Sequence, residues 1–422
     1  MRYRSVMLAV IVISLSACSS RSVIPPPGST LVVTPGIDQS GRGARHYIKL
    51  EPQTDIDYIA AGTDGALWFS EDTDYLGRID MSGNVTQYGV PFGPINRIFS
   101  VGPDKAFWFS DGGAHFGQLT TTGTVSDFGL PQPIYANETA NGSDRRLWWA
   151  YVNPIDLTTH IAAMTLRGKV TDYGSSSTVD LGVRGSDRNV WFLGANADDS
   201  GVNIVRVTPS GSMTNFEALW PSDAVSPRGS GPIVITPTLG EDKKVWFSTA
   251  TQYIGEVDTA GNVSWIKLTQ PGQHWSADLI RIDPDMYFYD RGNAFTFSLG
   301  KVTKSGIVDE RRLPNEADAN DVAAGPDQNI WFPTGSLTIV WLRDLMTVVP
   351  TSLSLTVGQS ATLTVSETNV RSGWIVSSNP AIVSASQSGT NTFLVTGIAP
   401  GSATVTITDP HENFFGVPVV VQ

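Results

Sequence analysis

Residues 57–91, DYIAAGTDGALWFSEDTDYLGRIDMSGNVTQYGVP, decide the fold, because variants of this stretch recur to about residue 345. Apolar and polar residues alternate in DYIAAG, ALWFSE, LGRIDM and NVTQYGVP. These read as three strands and the start of a fourth, each bounded by Gly, Asp or Ser turns. An aromatic pair after a G-x-D turn marks each copy, at Trp68, Trp108, Trp148, Trp191, Trp246, Tyr287 and Trp331. A turn glycine returns at Gly83, Gly123, Gly168, Gly211, Gly261 and Gly306. Four strands per unit at spacings of about 40 to 55 residues predict a β-propeller, in which each sheet packs only on its neighbours. Seven aromatic markers predict seven blades.

The last unit, ANDVAAGPDQNIWFPTGSLTIVWLRDLM, supplies only three strands. Residues 45–52, RHYIKLEP, are similar to the fourth-strand segments TQYGVP and SDFGLP, so this upstream strand is expected to complete the seventh blade. Such closure removes two exposed sheet edges. The propeller is expected over residues 45–345.

Composition agrees with an all-β class. The 422 residues include 41 Gly and 26 Pro, only 16% are charged, and no long helical periodicity follows the N-terminal segment. A formal net charge of −12 argues against nucleic acid, which takes a basic face to neutralise phosphates. Cations and basic proteins are the better electrostatic partners, although acidity also serves simply to keep an exported protein soluble.

Residues 1–17 begin MRYR and continue through an apolar run too short to span a bilayer, which reads as a signal peptide. Leu15-Ser16-Ala17-Cys18 resembles the lipobox of bacterial lipoproteins, in which the cysteine carries the lipid and becomes the mature N-terminus. Cys18 is the sole cysteine, which suits lipidation better than a disulfide. The resemblance implies attachment to a bacterial membrane, and Ser19 resembles the outer-membrane sorting pattern of Gram-negative lipoproteins. Residues 18–44, rich in Ser, Pro and Gly, are expected to act as a tether.

After residue 346 the composition shifts to Thr, Ser and Val in short alternating strands, which suit a small β-sandwich with Trp374 in its core. The stretches LSLTVGQSATLTV, SGWIVSSNPAIVSAS and VTGIAPGSATVTI resemble the bacterial immunoglobulin-like domain of group 2, across residues 347–422. Such domains serve as spacers, interaction modules and adhesin parts.

At GTDGALWFSEDTDYLGRIDMSGNVTQYGVP the repeat resembles that of the virginiamycin B lyase family, where G-x-D-G-x-LWFTE, IGRI and G-x-ITEY-x-xP segments build a seven-bladed propeller. That family opens the lactone of streptogramin B antibiotics by elimination, with magnesium and a histidine general base. Its functional histidines open the innermost strands, eleven residues before the blade's Trp. The matching positions here are Asp57, Arg97, Asn137, Asp180, Ile235, Asp278 (allowing for a shorter sixth blade) and Asn320, and none is histidine.

Five histidines occur in the chain. His46 falls in the closing strand and His411 in the immunoglobulin-like segment. His115 and His160 share a column of the repeat with Tyr75, Asn203 and Tyr253, read as a variable surface position just before the third strand. His274, four residues before Asp278, is the one placed to reach the rim of the central funnel and is the weak candidate for a general base.

Carboxylates form a second constellation. The start of strand one and the end of strand two meet at one face of a blade. Asp57, Asp180 and Asp278 occupy the first position, and Glu71, Asp111 and Asp290 the second. With Asp55, Asp318 and Asp321, blades six, seven and one are expected to carry an acidic sector. Oxygen ligands of this kind suit Mg²⁺ or Ca²⁺, although Asp also begins strands and turns for local backbone reasons. The repeated Trp and Phe residues are expected in the core between blades. Phosphate loops, Cys/His zinc spacing and G-x-S-x-G motifs are absent.

These features lead to a lipid-anchored envelope protein whose propeller binds a small molecule, an envelope protein or a polysaccharide. A Mg²⁺-dependent lyase acting on a cyclic ester and an adhesin-like surface protein are the alternatives.

Overall fold

The structure is a computed structural model. It describes residues 19–22, 34–38, 45–49, 56–71, 75–80, 84–90, 95, 97–111, 115–130, 139–196, 198, 200–224, 234–268, 276–282, 285–291, 297–302, 308–312, 322–326, 330–334, 338–342, 347–366, 374–408 and 414–422. Cys18, Asp55, Asn137, His274, Asp318, Asn320, Asp321 and His411 lie outside this set. Within strands, the side chains of Asp57, Glu71, Arg97, Asp278, Asp290 and Trp374 also lie outside what is described.

Seven antiparallel sheets form the blades. Six are sequential, over 56–89, 97–129, 140–175, 181–219, 234–267 and 276–312. The seventh combines Ala323–Ala324, Ile330–Thr334 and Thr338–Leu342 with the upstream strand Arg45–Lys49, which pairs His46 with Trp341. First strands of neighbouring blades touch one another, so they form the innermost ring. We call the face where they begin the upper face; their turns into the second strands lie on the lower face.

Each motif of the repeat has a packing reason. In blade one, Asp64 Oδ1 accepts a hydrogen bond from the Trp68 indole N–H at 3.3 Å. The same bond recurs for Asp104–Trp108 (3.1 Å), Asp144–Trp148 (3.2 Å), Asp187–Trp191 (3.0 Å) and Asp242–Trp246 (3.0 Å). A Cβ on the glycine two residues before each Asp would strike that indole, at 2.4 to 2.8 Å from Nε1. The G-x-D turn therefore seats a Trp that is almost wholly buried, each burial being worth about 1.5–3 kcal/mol or more.

The LGRI-type strand needs its glycine for a different ring. Phe69 lies across the strand pair from Gly77, and a Cβ there would stand 2.0 Å from the ring; Gly255 and Gly300 face Phe247 and Phe288 in the same way. The turn glycine links blades. Gly211 has φ +91°, and its missing Cβ leaves room for Tyr173 of the preceding blade. Tyr173 in turn stacks on Trp148 of its own blade at 5.0 Å.

On the lower face the blades also clasp one another. Thr63 donates to the Lys105 carbonyl (3.2 Å), Ser143 to that of Arg188 (2.7 Å) and Ser186 to that of Lys243 (2.8 Å). Lys105, Arg145, Arg188 and Lys243 stand at the fourth residue of this turn with φ between 63° and 68°.

The segment 18–44 departs from the tether expected of it. Ser19–Ser22 adds to the outer edge of blade two, pairing with Thr124–Gly129, and Thr34–Asp38 pairs with Arg45–Lys49. A blade's outer strand offers a row of unpaired N–H and C=O groups, and short Ser- and Thr-rich segments satisfy them.

Residues 347–421 form a two-sheet sandwich. One sheet holds Thr347–Val349, Ser360–Ser366, Thr392–Gly397 and Val383–Gly389, and the other Leu353–Leu355, Phe414–Val421, Gly401–Thr408 and Trp374–Ser377. Leu363, Val365, Phe393, Val395, Val405 and Ile407 fill its core. Its last strand also meets the outer strand of blade six, where Asp309 pairs with Phe415 and Glu310 with Phe414.

Candidate functional site

The central opening of the upper face is built by the starts of the first strands. Four of these strands break register at that end: between Ile56 and Tyr58, Ile98 and Ser100, Val234 and Pro237, and Ser276 and Leu279. A bulge leaves a residue unpaired and re-aims it, and bulges gather at functional rims. Asp57, Ile235 and Asp278 fall inside these irregularities, and Arg97 adjoins one. The pairings of Ile56 with Glu71 and of Ser276 with Asp290 bring the backbones of Asp57 and Glu71, and of Asp278 and Asp290, to the same end of their blades. In blade four, Asp180 is exposed, and its N–H donates to the Leu193 carbonyl at 3.0 Å.

The acidic sector is thus supported only as backbone placement. Among the described residues no group of three or more His, Cys, Asp or Glu side chains is arranged to hold a metal ion. Asp111, the described member of the second position, accepts the backbone N–H of His115 at 3.0 Å and so closes a turn.

The densest titratable cluster lies further out, on the rim of blade three. His160 is buried, with Nε2 at 3.0 Å from Asp156 Oδ2 and Nδ1 at 2.9 Å from Asp172 Oδ2. The Tyr151 hydroxyl donates to the same Asp172 oxygen at 2.9 Å. Both ring nitrogens face carboxylates, and both donate only in the imidazolium form. Burial opposes that charge, but the hydrogen bonds and charges of Asp172 and Asp156 outweigh it and raise the His160 pKa above 6.5. Hydrogen bonds from Thr158, and then His160, hold Asp156 below the usual carboxylate range. Burial, and then Asp172, push the Tyr151 hydroxyl upward. A histidine that keeps its proton between two carboxylates is a structural clasp; a general base must give up that proton first.

His115 is a smaller version in blade two, with Nδ1 at 2.8 Å from Asp127 Oδ1. In blade five the same column carries Tyr253, whose hydroxyl donates to Asp223, itself paired with Lys267. The column read as a variable surface position is corrected for three of its five members: His160, Asn203 and Tyr253 are buried, while Tyr75 and His115 stay partly exposed.

Residues 36–222 and 139–338 match the profile of the virginiamycin B lyase family. The chain belongs to the virginiamycin B lyase family. Residues 344–421 match the bacterial Ig-like domain of group 2, a module that suits a cell-surface or extracellular protein.

Among solved structures, the extracellular domain of a hybrid two-component system from B. thetaiotaomicron is similar at 10% identity and TM-score 0.50. That match covers 93% of this chain but only 59% of the other. The WD40 β-propeller domain of Doa1 matches at 11% identity and TM-score 0.49, over 74% of this chain and 96% of that one. YCF48 bound to D1 peptide matches at 10% and 0.49, over 75% and 99%. At 10% identity the likeness to the B. thetaiotaomicron domain speaks for the fold alone. No curated protein sequence matches the chain.

Within this virginiamycin B lyase family chain, sequence reasoning found the ring of first-strand positions and missed the rim clasp. A signal existed: His115 and Asp127 in blade two, and His160 and Asp172 in blade three, share one spacing at one place in the repeat.

Proposed function

We propose that this is a lipid-anchored cell-envelope protein whose propeller is a binding module for a small molecule, an envelope protein or a polysaccharide. The observation that carries this reading is the set of residues opening the innermost strands: Asp57, Arg97, Asn137, Asp180, Ile235, Asp278 and Asn320 stand where a base would be required, and none is histidine. Fold and family do not supply chemistry without the residues that perform it. The bulged strand ends support a recognition surface of mixed charge around the central opening. The Ig-like domain supports an envelope setting, and Leu15-Ser16-Ala17-Cys18 supports the anchor.

The test is direct. Incubated with a streptogramin B antibiotic and Mg²⁺, the protein lacking residues 1–18 leaves the lactone intact; a linearised product overturns the reading. Cys18→Ala should abolish labelling by palmitate and release the protein from the membrane fraction, and unchanged fractionation refutes the anchor.

Family membership favours one second reading, a Mg²⁺-assisted lyase with a base other than the family's. The carboxylates at Asp55, Asp57, Glu71, Asp278 and Asp290 are the oxygen donors such an ion would take. If they hold it, Mg²⁺ or Ca²⁺ raises the melting temperature by mass action, and Asp57→Asn with Asp278→Asn removes the rise. No shift with either ion excludes the site.

A further inference from the structure

Among the described residues of the propeller, four large apolar side chains stand in solvent: Val152 at 62% exposure, Ile155 at 87%, Leu157 at 78% and Leu219 at 74%. Scattered apolar residues on a surface are ordinary. These four are gathered on the upper rim of neighbouring blades. Val152 ends the second strand of blade three, Ile155 and Leu157 lie in the loop that follows, and Leu219 ends the fourth strand of blade four.

The loop that carries Ile155 and Leu157 is closed by its own hydrogen bonds. The Leu157 N–H donates to the Asn153 carbonyl and the Asn153 N–H to the Thr158 carbonyl, both at 2.8 Å. The Asn153 side chain accepts the Ile155 N–H at 2.9 Å, and Asp156 accepts from both the N–H and hydroxyl of Thr158. His160 then ties Asp156 to Asp172. Leu157 is held at φ 59°, a left-handed conformation that costs a branched L-residue on the order of 1 kcal/mol. Asn or Gly would relieve that cost, and Leu stands there instead, presenting its side chain to water. Held in place before any partner arrives, such side chains lose little entropy on binding.

The exposed charge around them is acidic, and the cations beside it, the His160 imidazolium and Lys267, are already paired with carboxylates. Asp156, Asp172, Asp198 and Glu217 are all exposed on this rim. Residues 152–160, 172–180, 196–203 and 215–224 contain no Lys or Arg. Leu219 also walls a polar depression of about 700 Å³ with Thr178, Asn196, Asp198, Asn203 and Glu217.

We propose that the upper rim of blades three and four is a docking surface for a basic polypeptide, one whose Lys or Arg residues flank an apolar socket for Ile155 and Leu157. Charge complementarity selects this occupant: an anionic bilayer meets mostly like charge here, and a small ligand leaves protruding side chains uncovered. The surface is separate from the central opening, so it stands or falls independently of the reading given there.

The experiment uses residues 19–422 and a short synthetic peptide of alternating Lys and Leu, followed by titration calorimetry. Comparison ligands are a Lys/Ser peptide, a Glu/Leu peptide and phosphatidylglycerol vesicles. The Lys/Leu peptide binds, and more weakly at high salt. The double variant Ile155→Ser with Leu157→Asn, which keeps the charge and suits the left-handed backbone, loses tenfold or more in affinity with its melting temperature unchanged or raised. Asp57→Asn with Asp278→Asn binds as the unmodified protein does. Equal binding of the Lys/Ser peptide, undiminished binding by the double variant, preference for vesicles, or no binding at all overturns the proposal.

Discussion

The two faces of blades one to five are made on different principles. On the lower face the same turn is written five times, as Gly-x-Asp-x-x-apolar-Trp from Gly62, Gly102, Gly142, Gly185 and Gly240. Its parts hold each other: Asp accepts from Trp in all five, the left-handed residue donates back to the Gly carbonyl in four, and in three a hydroxyl reaches the next blade. On the upper face the loops between strands two and three differ in length and in sequence, running DTD, DGGA, NPIDLT, NADDS and ATQ. Repetition marks the side that holds the ring together. Divergence marks the side left free for recognition, as loops on a rigid scaffold commonly are.

That contrast can be broken by substitution, and the largest effect belongs to the lower face. Trp148→Ala removes a buried ring that stacks on Tyr173 and bonds Asp144, and should cost about 3–5 kcal/mol in urea unfolding. A loss below ~1 kcal/mol would mean that the turn motif is not what stabilises the blade. Gly211→Ala drives a Cβ to 2.0 Å from Tyr173 at a left-handed φ, and a loss of about 1–3 kcal/mol is expected.

The upper rim should answer to pH before it answers to truncation. The folded-state pKa of His160 is raised, so its stabilising contribution is complete below 6.5 and is lost as pH rises through the folded value. Melting temperature should therefore decline over that window in the natural protein, and His160→Gln should flatten the decline. A parallel decline in the variant would assign the effect to other groups. The smallest effect is expected from Arg188→Gly. It relieves a left-handed φ of 68° but loosens the unfolded chain, and the two changes should leave stability within about 1 kcal/mol.

The same contrast explains what the sequence made legible. Trp68, Gly77 and Asp64 recur because their contacts recur, and periodic residues expose both the strands and the number of blades. The spacing of His160 and Asp172 repeats that of His115 and Asp127, but Asp156 comes from a single loop, and the register shift between His160 and Ala162 has no counterpart in blade two. Alignment of the repeat put His160 just before the third strand, whereas it lies within that strand, Thr159–Thr165, and position in a repeat carries no information on burial. The ring positions Asp57, Arg97, Asp180 and Asp278 were legible as places, and the bulges there were not, because a bulge is set by how two strands settle against their neighbours.

The strand Arg45–Lys49 is synthesised before any blade, yet its partner Thr338–Leu342 is among the last propeller segments to emerge. Closing so long a loop costs little more entropy than closing a short one, but pairing between distant segments is slow. The seventh blade is thus the last that can form, and the ring becomes a report on completeness: a chain interrupted anywhere before residue 338 leaves Arg45–Lys49 without its mate and a blade edge open to proteases or to other chains.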